Sequence, residues 1–156
     1  MQMPLTWYWN ALVAGLALAL VLPVSAADIG QIKVAKGTVT IERGASAQPA
    51  TVGMRLQTSD VVKTGADGSV GINMSDNALL SLGPNSSLSL DQYEFDSTTN
   101  QGAFATSLQK GSLAVVSGRI AKQSPEAMTV RTPFAVLGVR GTEFVVHADD
   151  AKSSPY

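Results

Sequence analysis

From residue 28 onward, apolar and polar side chains alternate in short runs separated by turn-forming residues. Val70, Ile72 and Met74 fall on one face of such a run, with Ser69, Gly71 and Asn73 on the other. Leu80 and Leu82, then Leu88 and Leu90, repeat the pattern, and residues 38–42 (Thr-Val-Thr-Ile-Glu) show it earlier. A period of two predicts half-buried strands. Arg43-Gly44-Ala45-Ser46 and the stretch 64–68, with Gly65 and Gly68, read as turns, since glycine supplies positive φ without steric cost. From Asp67 to Asp76 to Asn85 the turns recur about every nine residues. That rhythm predicts an all-β domain, with a rolled, solenoid-like or sandwich-like sheet.

The inward parity shifts between Leu90 and Tyr93, which predicts a bulge or turn near Gln92. Residues 96–102 form a polar loop, and 113–116 read as a strand between Gly111 and Gly118. The connection 118–125 has room for one helical turn. Met128 and Val130 lead to Thr132-Pro133, residues 142–147 close the domain, and 148–156 reads as a flexible tail. No segment after Ala27 keeps a helical period over three turns.

The start of the chain breaks this pattern. Residues 1–27 carry no charged side chain, and residues 11–22 are unbroken apolar sequence, followed by Pro23-Val24-Ser25-Ala26-Ala27. An apolar run, a helix-breaking proline and small residues read as a helical signal peptide over residues 1–26, cut after Ala26 or Ala27. The run is shorter than the roughly 20 residues that span a bilayer, so no stable membrane span is expected after cleavage. A retained anchor is the alternative, because the first ten residues lack Lys and Arg. The expected location is the periplasm.

Composition narrows the chemistry. Cysteine is absent, which excludes disulfides, thiolate metal sites and a cysteine nucleophile. A net charge of −1 gives no electrostatic footprint for nucleic acid. Both tryptophans, Trp7 and Trp9, lie in the signal, so the remaining chain has no indole for stacking on sugars. His147 is the only histidine, which rules out histidine dyads. Asp91, Glu94 and Asp96 are close but lack the spacing of a calcium loop. Lys63-Thr64-Gly65, Ser75-Asp76-Asn77 and Ser107-Leu108-Gln109-Lys110 spell the K-T-G, S-D-N and S-x-x-K set of acyl-transfer enzymes. That chemistry needs Ser and Lys one turn apart on a helix, whereas Ser107 runs into Gly111 and a β pattern. No catalytic set, cofactor site or metal site is expected.

The most specific stretch is 130–144, Val-Arg-Thr-Pro-Phe-Ala-Val-Leu-Gly-Val-Arg-Gly-Thr-Glu-Phe. Pro133 ends a strand, because it cannot donate to a ladder. Gly138 and Gly141 bracket Arg140, which suggests two tight turns around one guanidinium. This stretch resembles the closing motif of the FecR domain, T-P-x-A-x-x-x-V-R-G-T-x-F. The resemblance extends upstream through residues 37–43, 56–65, 83–88 and 111–113, and covers about residues 29–147. Ser59 stands where the family usually has glycine, and Asn77 where its D-G-S turn has glycine. The resemblance implies a non-enzymatic β module that binds an envelope protein or ligand in signalling or scaffolding. Binding of glycan or peptidoglycan is the alternative. Classical members add a cytoplasmic anti-sigma segment with a membrane span, and a receptor-contacting region after the domain. Here the domain follows an export signal directly, so a stand-alone module is expected and sigma-factor control is not carried over. The expected site is the motif itself: Thr132, Pro133, Gly138, Arg140, Gly141, Thr142 and Phe144. Arg140 is either a structural fork in a buried corner, the reading its apolar neighbours favour, or an anchor for a partner.

Overall fold

The computed structural model describes residues 25–149, so most of the expected export signal, and the chain from residue 150, lie outside the described residues. The alternation becomes twelve strands: β1 (Gly30–Lys36), β2 (Val39–Arg43), β3 (Ser46–Pro49), β4 (Arg55–Leu56), β5 (Val61–Thr64), β6 (Ser69–Met74), β7 (Leu79–Leu82), β8 (Ser87–Phe95), β9 (Gly102–Val116), β10 (Met128–Arg131), β11 (Val136–Gly138) and β12 (Glu143–Ala148). One short helix, α1 (Arg119–Gln123), occupies the connection where a single helical turn is expected. The fold is all-β, as the period-two pattern predicts.

The strands form one curled sheet in the order β3-β2-β5-β8-β9-β7-β6-β1-β4. β10 adds to β9 in parallel, β11 adds to β10, and β12 adds to the far part of β9. The curl is centred on β9. Its first part pairs with β8 from Gly102 to Lys110, and its last part pairs with β12 from Gly111 and with β7 from Leu113 onward. The partner changes at Gly111, whose φ is +90°, and a Cβ there would overlap Ser86 Oγ. Only glycine turns this corner without strain or collision. Ser86 fills the space instead, accepting the Ser112 N–H at 3.0 Å.

Two expectations need correction. The strand placed at 113–116 begins at Gly102, because Phe104, Thr106 and Leu108 alternate inward along a run otherwise dominated by small and polar residues. The tail does not begin at Ala148: that residue pairs with Gly111 at the end of β12 and is buried in the core. The bulge expected near Gln92 is present, since the β8–β9 register shifts between Ser89 and Gln92.

The concave side holds Ile32, Ile41, Leu56, Ile72, Leu80, Leu90 and Leu113, all buried, with Tyr93 and Phe104 edge to face at 5.2 Å. Two polar clamps pin the curl. Asp60, fully buried, accepts Arg43 Nε at 2.8 Å and Nη2 at 2.7 Å, plus the Gln57 N–H at 2.8 Å. The hydrogen bond to Asp60 pushes the Arg43 pKa up further. Asp76, also buried, accepts the Tyr93 hydroxyl at 3.0 Å and the N–H groups of Ala78 and Ile120, both at 3.2 Å. One carboxylate thereby joins the β6–β7 turn, strand β8 and the start of α1.

Candidate functional site

The closing motif folds as a hairpin, a turn and a last strand. Thr132 follows β10, and its hydroxyl accepts the N–H groups of Phe134 at 3.3 Å and Ala135 at 3.1 Å. Its own N–H donates to the Ala135 carbonyl at 2.8 Å. Pro133 sits inside this turn, where its fixed φ is pre-set and its missing N–H costs nothing. Thr132 and Pro133 thus build a tip that carries Phe134 into solvent, 67% exposed.

After β11 the chain crosses to the other end of the curled sheet. Gly141 takes φ +115°, its carbonyl accepts the Ser117 hydroxyl at 2.9 Å, and the Thr142 carbonyl accepts the Ser117 N–H at 2.8 Å. Phe144 then pairs with Val115 and packs partly against the core. The two-turn expectation is half met, since Gly138 simply ends β11 and has no positive φ. The favoured structural reading of Arg140 is corrected too. Val139 is buried, but Arg140 is exposed and makes no hydrogen bond or ion pair among the described residues. A surface crossing gives a guanidinium no buried carbonyls to satisfy. Arg140 instead borders an open cleft of about 520 Å³ formed by Pro125, Glu126 and residues 138–141.

The motif therefore lies along sheet edges. β11 pairs only with β10, and β12 only with β9, among the described residues. Both edges carry exposed apolar side chains: Phe134, Val136 and Leu137 around β11, and Val145 on β12. Sequence reasoning missed these four residues. Their signal was topological, because an apolar residue in a strand looks like core until its neighbours are known.

The other candidate chemistries are dispersed by the fold. Ser107 and Lys110 lie in strand β9, not on a helix, and the Ser107 hydroxyl donates to the Asp91 carboxylate, which also accepts Ser89 at 2.6 Å. Asp76 of the S-D-N triplet is held by Tyr93. Asp96 is occupied by the N–H of Thr98 at 2.8 Å, and hydrogen bonds from the Thr98 and Thr99 N–H groups hold its pKa below the ordinary carboxylate value. Among the described residues no three acidic or imidazole groups converge as metal ligands. No helix among them is long and apolar enough to cross a membrane.

The described residues thus form a curled all-β sheet whose closing hairpin is exposed. A family model described as FecR protein matches residues 60–154, and the chain belongs to that family. The match starts at β5, yet β1 pairs with β6 and β2 with β5, so the folded unit includes the strands before it. Comparison with curated proteins gives no match, and neither does comparison with solved structures.

Proposed function

We propose that this protein is a non-enzymatic periplasmic interaction module that receives an extended segment of an envelope protein along the edge of β11. The observation that carries the reading is the state of that edge. Among the described residues its three residues pair on one side only, and the side chains around it are apolar and exposed. Soluble proteins usually protect such edges with lysine, proline or a covering loop. An added strand gains affinity from main-chain hydrogen bonds and specificity from pockets for alternate side chains. The cleft beside residues 138–141 is such a pocket, and Arg140 at its border fits a carboxylate of the incoming segment. Membership of the FecR family supports a role in envelope signalling.

The test is a photo-crosslinking residue at Leu137 in the exported protein, with the same residue at Gln48 on the opposite edge as control. Adducts are expected from Leu137, mapping to one extended segment of one partner, and lost on Val136→Lys, which charges the edge. Equal adducts from Gln48, or adducts indifferent to Val136→Lys, refute the reading.

A further inference from the structure

The outer face of the curl holds a second cleft, of about 430 Å³, lined by Lys63, Thr64, Ser86, Ser87, Gln109 and Lys110. Seven polar side chains of the described chain are buried: Asp60, Thr64, Asp76, Ser86, Ser87, Thr106 and Ser117. Six of them have hydrogen-bond partners within the protein. Ser87 is the exception. The residue is 8% exposed, and its hydroxyl makes no hydrogen bond among the described residues. The fully buried, unpaired side-chain atoms among those residues are Asn73 Oδ1 and Asn100 Oδ1, so the Ser87 hydroxyl is free and open to the cleft it lines.

The register places it there. Ser87 lies opposite Lys63 on one side and Lys110 on the other, and residues directly opposite share a face of the sheet. The next residue, Leu88, is in the core, so Ser87 faces outward and is shielded by its neighbours. The β8–β9 register also shifts between Ser87 and Leu88, which leaves Gln109 as an extra residue. That bulge exposes Gln109 and Lys110 consecutively, where strict alternation would turn one inward. Three donors therefore converge on the cleft: a hydroxyl, an amide and an ammonium.

The charge count selects the ligand. Lys63 is neutralised by Glu42 at 2.7 Å, whereas Lys110 has no ion pair among the described residues. Thr64 and Ser86 already spend their hydroxyls inside the protein. One free positive charge with neutral donors beside it matches a singly charged oxyanion better than a phosphate dianion. We propose that this cleft binds a carboxylate group of a small polar molecule, held by Lys110, Ser87 and Gln109. The site is independent of the β11 edge and shares no residue with it.

Amide NMR titration at fixed ionic strength tests it, with lactate, glucuronate, glucose and inorganic phosphate as probes. Lactate and glucuronate should shift Ser87, Gln109 and Lys110 saturably, and glucose should not. Tighter glucuronate assigns the carboxylate to an acidic sugar, and lactate as tight or tighter assigns it to a simple organic acid. Lys110→Met should weaken binding about tenfold or more, and Ser87→Ala about threefold. Neither variant removes a hydrogen bond or ion pair among the described residues, so both should keep the wild-type thermal midpoint to within a few degrees. Saturable shifts with glucose, phosphate binding tighter than lactate, no saturation, or variants without effect would each overturn the site.

Discussion

Ser59 is held in a backbone conformation that suits another residue, and replacing it should stabilise the protein. Its φ is +72°, at the third position of a turn in which the Asp60 N–H donates to the Gln57 carbonyl at 3.2 Å. A type II turn requires positive φ there and normally takes glycine. The turn cannot relax, because the Ser59 N–H donates to the Leu90 carbonyl at 2.7 Å and Asp60 is clamped by Arg43. The Ser59 side chain is exposed and makes no hydrogen bond among the described residues, so its removal loses nothing. Left-handed φ costs an L-residue about 1–2 kcal/mol. Glycine returns about 0.5–1 kcal/mol of that through the greater entropy of the unfolded chain. Ser59→Gly should therefore gain about 0.5–1 kcal/mol, or about 2–5 °C in Tm for a domain of this size. Paired urea titrations measure it, with an unchanged slope showing that the unfolded state is comparable. Ser59→Ala should gain nothing, since it removes the hydroxyl and keeps the strain. Asn77→Gly, at φ +66°, should gain less, because asparagine tolerates the left-handed region. A Ser59→Gly midpoint at or below wild type, or an equal gain from Ser59→Ala, refutes the reasoning.

Asp76→Asn should cost about 2–3 kcal/mol in the same titrations, since it leaves N–H groups of the β6–β7 turn and α1 facing an amide that offers fewer acceptors. An unchanged midpoint would mean that the carboxylate does not join those elements. Burial, followed by the charge of Asp76, raises the Tyr93 pKa above its ordinary value of 10.0. The unfolded chain then ionises first, so stability is full below that pH and falls as pH rises past it. Phenolate absorbance from Tyr93 should appear together with loss of the β circular-dichroism signal, and its appearance in an intact fold would contradict the assignment. Arg140→Ala and Arg140→Lys should both stay within about 0.5 kcal/mol of wild type, as surface changes do, while the Leu137 adducts weaken. A destabilised Arg140→Lys with adducts intact would restore the structural reading.

The sequence was most legible where a face is buried on one side only. Val70, Ile72, Met74, Leu80 and Leu82 alternate cleanly because the curl buries one face and wets the other. The first part of β9 was hidden because Leu108 stands alone among Ser107, Gln109 and Lys110, and the bulge at Gln109 breaks the alternation. Glycine in the closing motif misled for a different reason. Gly138 and Gly141 look alike in sequence, but only Gly141 has the dihedral that needs glycine. For Arg140, apolar neighbours implied a buried corner, and a neighbour's burial does not transfer along a crossing segment.

The positions of the family motif divide by the job each does in the fold, and this bears on what membership can reveal. Thr132, Pro133, Ala135 and Gly141 set the two turns, while Val139 and Phe144 bury the crossing segment against the core. Phe134, Val136 and Leu137, the exposed apolar side chains around β11, all occupy positions the motif leaves open. On the proposed reading, the motif residues of this chain set the turns that aim the edge, while the side chains that would choose a partner lie at its open positions. Arg140 is the one charged and exposed side chain that the motif specifies. On the proposed reading it meets what any added segment offers, a carboxylate or backbone carbonyl, and the open positions around β11 do the selecting. Exchanging Phe134, Val136 and Leu137 for those of another member should then redirect the partner without moving the urea midpoint, whereas exchanging Arg140 should weaken every partner alike.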